Sequence, residues 1–342
     1  MGEFLPLFWY FLLVVPTALF IILDGADLGI GILSLTTNES RRSAMLSAIG
    51  PLWYANETWL VVAGAILFGA FPLAYGVMLS SLYIPAMVFL FGLVFRAVSV
   101  EFRVHSQHKR FWGFTFGLGC LLAVLGQGFI FGGLFSNLKI ESGSFVGGPW
   151  DWLNINSSII AIGVLSAYAM VGAAQIVNKT EGDILAQNRR LLVGSASAAL
   201  ALFIMVIILM FTGHAPISLI WLKSPQVYLE PIFLFTVIGG FIMTLVRSSK
   251  QRSNKAPYIW SVVVFVGTAA LTISGIFPYF IPFSLSIAQA ASPRSSLIFM
   301  LFGAGMILPI IIFYNIYVHR VFAGKVYGGE AEKCNGVNNN EY

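Results

Sequence analysis

The sequence predicts an all-α polytopic membrane protein of nine transmembrane helices, arranged as two four-helix bundles plus one extra helix. Three observations carry this. Of 342 residues, 58% are apolar and only 10% charged, with 30 Phe, whereas soluble domains carry about 25% charged residues. The apolar residues form long unbroken runs such as Phe4 to Leu23, without the period-two alternation of barrel strands, so the spans are helical. The apolar content suffices for nine or ten spans of ~20 residues each. A water-soluble enzyme, a nucleic-acid binder and a disordered protein are excluded.

Polar and Pro/Gly punctuation divides the chain into spans at 5–34, 45–71, 75–102, 112–135, 155–178, 190–211, 229–247, 257–280 and 297–320. The first run follows acidic Glu3 and leads into Asp-Gly, unlike a cleaved secretory signal, and is expected to remain in the mature chain. Pro16, Pro85 and Pro309 are expected to kink their spans. The outer loops carry Trp and Pro, as in Gly147 to Trp152 and Trp221 to Glu230, which suits interfacial anchors. Residues 1–324 form the membrane domain, and 325–342 a polar cytoplasmic tail.

Fifteen of the 19 Lys and Arg residues fall in alternate loops and the C-terminal tail. Only Lys139, Lys223 and Arg294 fall on the other side, and Arg96 lies within a span. The positive-inside rule then places the N-terminus outside and the C-terminus in the cytoplasm. With this placement the net charge of +5 reports topology rather than a polyanion site. Cys120 and Cys334 form no CxxC motif and imply no disulfide framework.

The acids within spans are Asp24, Asp27, Glu57 and Glu101. A charge at mid-bilayer costs at least ~2.5–3.5 kcal/mol, so each must face the protein interior, pair, or be neutralised by a proton. Asp24 and Asp27 share a helix face, with Gly25 and Gly29 on an adjacent stripe. At 1.5 Å per residue Asp24 lies ~15 Å, and Asn56 and Glu57 ~18 Å, from the cytoplasmic ends of their spans. Arg96 and Glu101 continue toward the cytoplasm, which suggests a ladder of polar groups for proton movement. Protons would pass from Glu101 through Asp27 and Asp24. The structural alternative is that Asp27 or Glu101 merely pairs with Arg96, but four acids exceed one arginine. Trp53, Tyr54 and Asn56 are supporting candidates around Glu57, and Gln127 between two glycines suits a hydrogen bond across helices.

His105, His108, His214 and His319 fall in loops or at span ends, without the spacing of an intramembrane metal pair. No haem ligand is evident and no metal site is expected on this chain. Walker A, GxGxxG and G-x-S-x-G signatures are absent from the sequence.

Four collinear blocks carry a family resemblance. Asp24-Gly-Ala-Asp-Leu-Gly-Ile-Gly31 resembles the DGFDLGVG signature of subunit II of cytochrome bd-type quinol oxidases. Pro51-Leu-Trp-Tyr-Ala-Asn-Glu-Thr-Trp59 is similar to the P-x-W-D-G-N-x-x-W segment of that family. Phe95-Arg96 through Glu101-Phe102-Arg103 is similar to its FRPVxFEFR segment, and Phe277 to Ser284 resembles its FPxxxPS turn. Tyr54 and Ala55 depart from the family's Asp and Gly, which leaves Glu57 as the candidate replacement for the missing carboxylate.

The resemblance implies a non-haem subunit of a respiratory quinol:oxygen oxidoreductase in a bacterial or archaeal plasma membrane. Its partner would be the haem-bearing subunit I, of similar nine-span architecture, which holds haem b and haem d, oxidises quinol and reduces oxygen to water. The two would form a pseudo-symmetric heterodimer, joined in some complexes by a small single-span subunit, with this chain contributing part of the cytoplasmic proton route. The competing class is a proton-coupled secondary transporter, for which matching acids would be expected in the second half. A purely structural assembly subunit is the third class.

Overall fold

A computed structural model of the chain describes residues 4–49, 52–136, 138–141, 143–179, 183–212, 221, 225–248 and 255–321. The tail at 325–342, together with His214, Lys223 and Lys250, lies outside the described residues. Among the described residues, eight helices are long and apolar enough to cross a membrane, and a bent pair makes nine.

The first bundle contains α1 (Phe4–Ser34), α3 (Leu52–Ala70), α5 (Tyr83–His105) and α6 (Lys109–Leu134). The second contains α7 (Ile155–Lys179), α8 (Asp183–Thr212), α9 (Gln226–Ser248) and α10 (Ala256–Ile276), each packed on the next and α10 returning to α7. The extra helix, α12 (Arg294–Val321), lies against α3. α1 packs against both α6 and α7, and so joins the two bundles. Side chains larger than hydrogen are excluded at this crossing: a Cβ on Gly29 would collide with the Tyr168 carbonyl, and one on Gly172 with the backbone of Gly29 and Ile30. In lipid, where no water is released between helices, such close backbone approach supplies much of the packing attraction.

Two boundaries differ from the sequence expectation. The second span begins at Leu52, because Glu39–Ile49 forms a separate helix, α2, whose composition is too polar for lipid. The third begins at Tyr83, because Pro72–Ser81 is a separate helix, α4, bent by 113° from α3. Proline lacks the N–H needed to continue α3. Two orphaned carbonyls at the end of α3 are satisfied from elsewhere: the Ser292 backbone N–H donates to Ala70 at 2.8 Å and its hydroxyl to Gly69 at 2.7 Å.

Asp24 keeps its ~15 Å distance from the end of α1, while Glu57 now lies about 7.5 Å from the start of α3. At the basic end of the first bundle, Glu39 on α2 accepts from Arg42 at 3.0 Å and from Arg103 of α5 at 2.5 Å. Arg42 also caps α1 by donating to the Ser34 carbonyl at 3.1 Å, a cation placed at the negative end of the helix dipole.

The motif from Phe277 to Ser284 supplies the first strand and the turn of a tight hairpin, β3 (Tyr279–Ile281) paired with β4 (Leu285–Ser286) just beyond it. Its Phe280 packs against Tyr10 of α1 and against Phe71 at the α3–α4 bend. A second short hairpin, β1 (Ile140–Glu141) and β2 (Ser144–Phe145), lies between α6 and α7. The four-residue helix α11 (Ile287–Ala290) follows β4 and is closed by a Ser286–Gln289 capping box.

Candidate functional site

α1, α3 and α5 bring their polar residues to one level inside the first bundle. Arg96 is 1% exposed and Asp24 fully buried. The terminal nitrogen Nη1 of Arg96 donates to both Asp24 oxygens at 2.8 Å, and the second terminal nitrogen, Nη2, donates to Glu57. The guanidinium also lies 5.7 Å from the ring of Trp53, a cation–π contact that suits a weakly hydrated, planar cation. α5 reaches α6 closely enough for this because Gly92 faces the Ala123 backbone and Gly119 faces the Arg96 backbone nitrogen.

Asp27 lies on the same face of α1 as Asp24, 6% exposed, and accepts from the Asn56 side-chain amide at 2.9 Å. The Asn56 carbonyl oxygen is buried without a hydrogen-bond partner among the described residues. Tyr54 donates to Glu101 at 3.2 Å, and both are exposed on the outside of the bundle. Glu57 is between these zones, its side chain 27% exposed.

The candidate residues of the proton ladder therefore each have a definite place, but the connections differ from those expected. Arg96 pairs with Asp24 and Glu57, not with Asp27 or Glu101. Glu101 is joined to Tyr54, and Asp27 to Asn56. Gln127 of α6 does bond across helices, accepting from the hydroxyl of Tyr168 on α7 at 2.8 Å.

Sequence reasoning missed three features. Asn315, 5% exposed on a helix where only Leu297 and Val318 are also buried, accepts from the Trp59 indole at 3.1 Å and donates to Thr58 at 3.3 Å. A lone Asn in an apolar span was its signal. Tyr168 is buried against α1, and nothing in its span distinguishes it. Glu230, read from the sequence as the end of an outer loop at the edge of the seventh span, lies inside α9 and is 2% exposed. Neither of its oxygens has a hydrogen-bond partner among the described residues. Ser274 stands beside it, but its hydroxyl donates to the Ala270 carbonyl at 2.8 Å.

His105 and His108 are exposed at the ends of α5 and α6, and His319 lies near the end of α12 against the Asn315 carbonyl. Among the described residues no three His, Cys, Asp or Glu side chains are grouped to hold a metal ion.

This fold and site define a polytopic membrane protein with a charge-compensated polar cluster between its helices. Residues 5–322 match the family described as cytochrome bd terminal oxidase subunit II, and the chain belongs to that family, whose members are subunits of an oxidoreductase complex. It is 28% identical over 340 residues to cytochrome bd ubiquinol oxidase subunit 2 of Bacillus subtilis, covering 93% of this chain and 96% of that protein. It is 24% identical over 374 residues to cytochrome bd-I ubiquinol oxidase subunit 2 of Escherichia coli K12, covering 97% of each. Its fold is similar to a chain of the bd oxidase from Geobacillus thermodenitrificans, with TM-score 0.70, 17% identity, and coverage of 94% of this chain and 99% of that one.

Proposed function

We propose that this chain is the non-haem subunit of a quinol:oxygen oxidoreductase and passes cytoplasmic protons toward a haem-bearing partner. The partner, subunit I, would hold haem b and haem d and carry out quinol oxidation and oxygen reduction. The carrying observation is the Asp24–Arg96–Glu57 cluster, buried on one side and open on the other through Glu57. Two carboxylates share one guanidinium, so their formal charges exceed the cation by one. A proton in transit balances that excess.

The open side also supports a protein partner. Tyr54, Glu57 and Glu101 form a polar patch on an exterior otherwise made of residues such as Phe91, Val94, Phe95 and Val98. Charge facing lipid costs at least ~2.5 kcal/mol toward the bilayer centre, so a patch of this kind calls for a protein cover. Docked there, the partner would face a path that enters at Glu101, near the end of α5, and runs along the face shared by Tyr54 and Glu57 to Asp24. Asp27 and Asn56 extend the polar cluster on its inner side. The basic-loop bias supports an orientation with the N-terminus outside and the C-terminus in the cytoplasm.

Purification of the tagged chain tests the assignment. Expressed with its partner, it should bring down a complex with a haem absorption band, and expressed alone it should show none. A stoichiometric haem on the isolated chain would refute the division of labour.

A further inference from the structure

We propose that Tyr168, on the second bundle, is a positioning residue for the Asp24–Arg96 pair. The inference rests on the proton path proposed above and assigns a role to a residue outside that path. Tyr168 is 1% exposed and touches three neighbouring helices. Its ring lies against Gly25, where an added Cβ would come within 2.8 Å of the ring edge. The same ring stacks on Phe265 of α10, with centroids 5.6 Å apart. Its hydroxyl is tied to Gln127 of α6 at 2.8 Å.

Gly25 is the immediate neighbour of Asp24, so the surface that seats Gly25 also sets the rotation of α1 at the level of the ion pair. Gly29, one turn along, meets the backbone of Tyr168 itself. Beside these backbone contacts, the side chain that seats α1 next to Asp24 is Tyr168, itself held by Phe265 on one face and Gln127 at its tip. α6 supplies both Gln127 and the close packing against α5 at Gly92 and Gly119. Tyr168 thus refers the position of Asp24 to the helix that also positions Arg96. A guanidinium nitrogen bonded to both oxygens of one carboxylate is sensitive to such rotation, because turning α1 moves one oxygen away before the other.

Three variants of the assembled complex test this: Tyr168→Phe, which frees the ring from Gln127; Tyr168→Leu, which removes the ring; and Asp24→Asn. Turnover is read as oxygen reduction per haem, assembly from the haem spectrum, and the ion pair from the infrared carboxylate band that Asp24→Asn removes. Misplacement of a reacting group by about 1 Å can cost up to ~100-fold, so a partial loss of about 3-fold for Tyr168→Phe and about 10-fold for Tyr168→Leu is expected. The infrared band should shift in both variants while the haem spectrum stays intact. Tyr168→Phe should add nothing in the Asp24→Asn background. Wild-type turnover and an unshifted band in Tyr168→Phe, with Asp24→Asn slow, would overturn the positioning role and leave the proton path standing. Wild-type turnover in Asp24→Asn would instead overturn the path itself. If Tyr168→Leu does not assemble, Tyr168→Phe alone decides.

Discussion

Both carboxylate oxygens of Asp24 lie 2.8 Å from a single guanidinium nitrogen of Arg96, 72 residues away in the chain. The pair is fully enclosed, and Glu57 takes the second terminal nitrogen of the guanidinium, Nη2. This arrangement lets three ionisable groups remain inside an apolar bundle.

Removing the cation should therefore be costly. Arg96→Gln leaves two carboxylates without their partner, and breaking a buried pair from one side costs about 3–5 kcal/mol. A strongly lowered melting temperature or loss of assembly is expected. Arg96→Lys should recover only part of it, since an ammonium cannot present the same planar fork. Wild-type melting of Arg96→Gln would show that the pair contributes nothing.

Asn315→Leu tests how α12 is held. The Trp59 indole N–H would lose its acceptor, and leaving such a buried group unpaired costs about 1–3 kcal/mol. The expected signature is earlier proteolysis of the C-terminal helix and a lowered melting temperature. Unchanged protease resistance would show that apolar packing alone seats α12.

Glu230 predicts the opposite sign. Its carboxyl is enclosed without a hydrogen-bond partner among the described residues, so Glu230→Met, of similar shape, should be neutral or stabilising by about 1–3 kcal/mol. A clear fall in melting temperature would reveal a partner that Glu230 depends on.

Topology can be read by labelling in a background lacking Cys120 and Cys334. A cysteine at Lys255 should react only after the cytoplasmic face is opened, and one at Ser144 should react from outside. The reverse pattern contradicts the orientation.

The helical class and most spans were legible because lipid demands long apolar runs, and nothing else in the sequence competes with that signal. The α2–α3 boundary was not, since Ala44 to Ile49 is apolar enough to extend a span while Glu39, Arg41 and Arg42 place it in a separate polar helix. The bend at Pro72 required Ser292, more than 200 residues away, to satisfy α3. Composition identified the site residues, because ionisable groups in spans are rare and conspicuous. Their pairing was out of reach: the level at which Asp24 meets Arg96 depends on the rotation of α1, and glycines and Tyr168 set that rotation through contacts no local pattern records. Glu230 was lost because the stretch from Trp221 to Glu230 was read as one outer loop, whereas α9 already begins at Gln226.

The central claim is that the acids around Arg96 carry protons, and the most direct measurement is proton uptake during oxygen reduction by the assembled complex. Asp24→Asn and Glu57→Gln keep shape and hydrogen bonding while removing the titrating group. The account predicts slowed proton uptake and slowed oxygen reduction in both variants, with subunits and haem spectrum intact. Wild-type rates of both processes in both variants would contradict it.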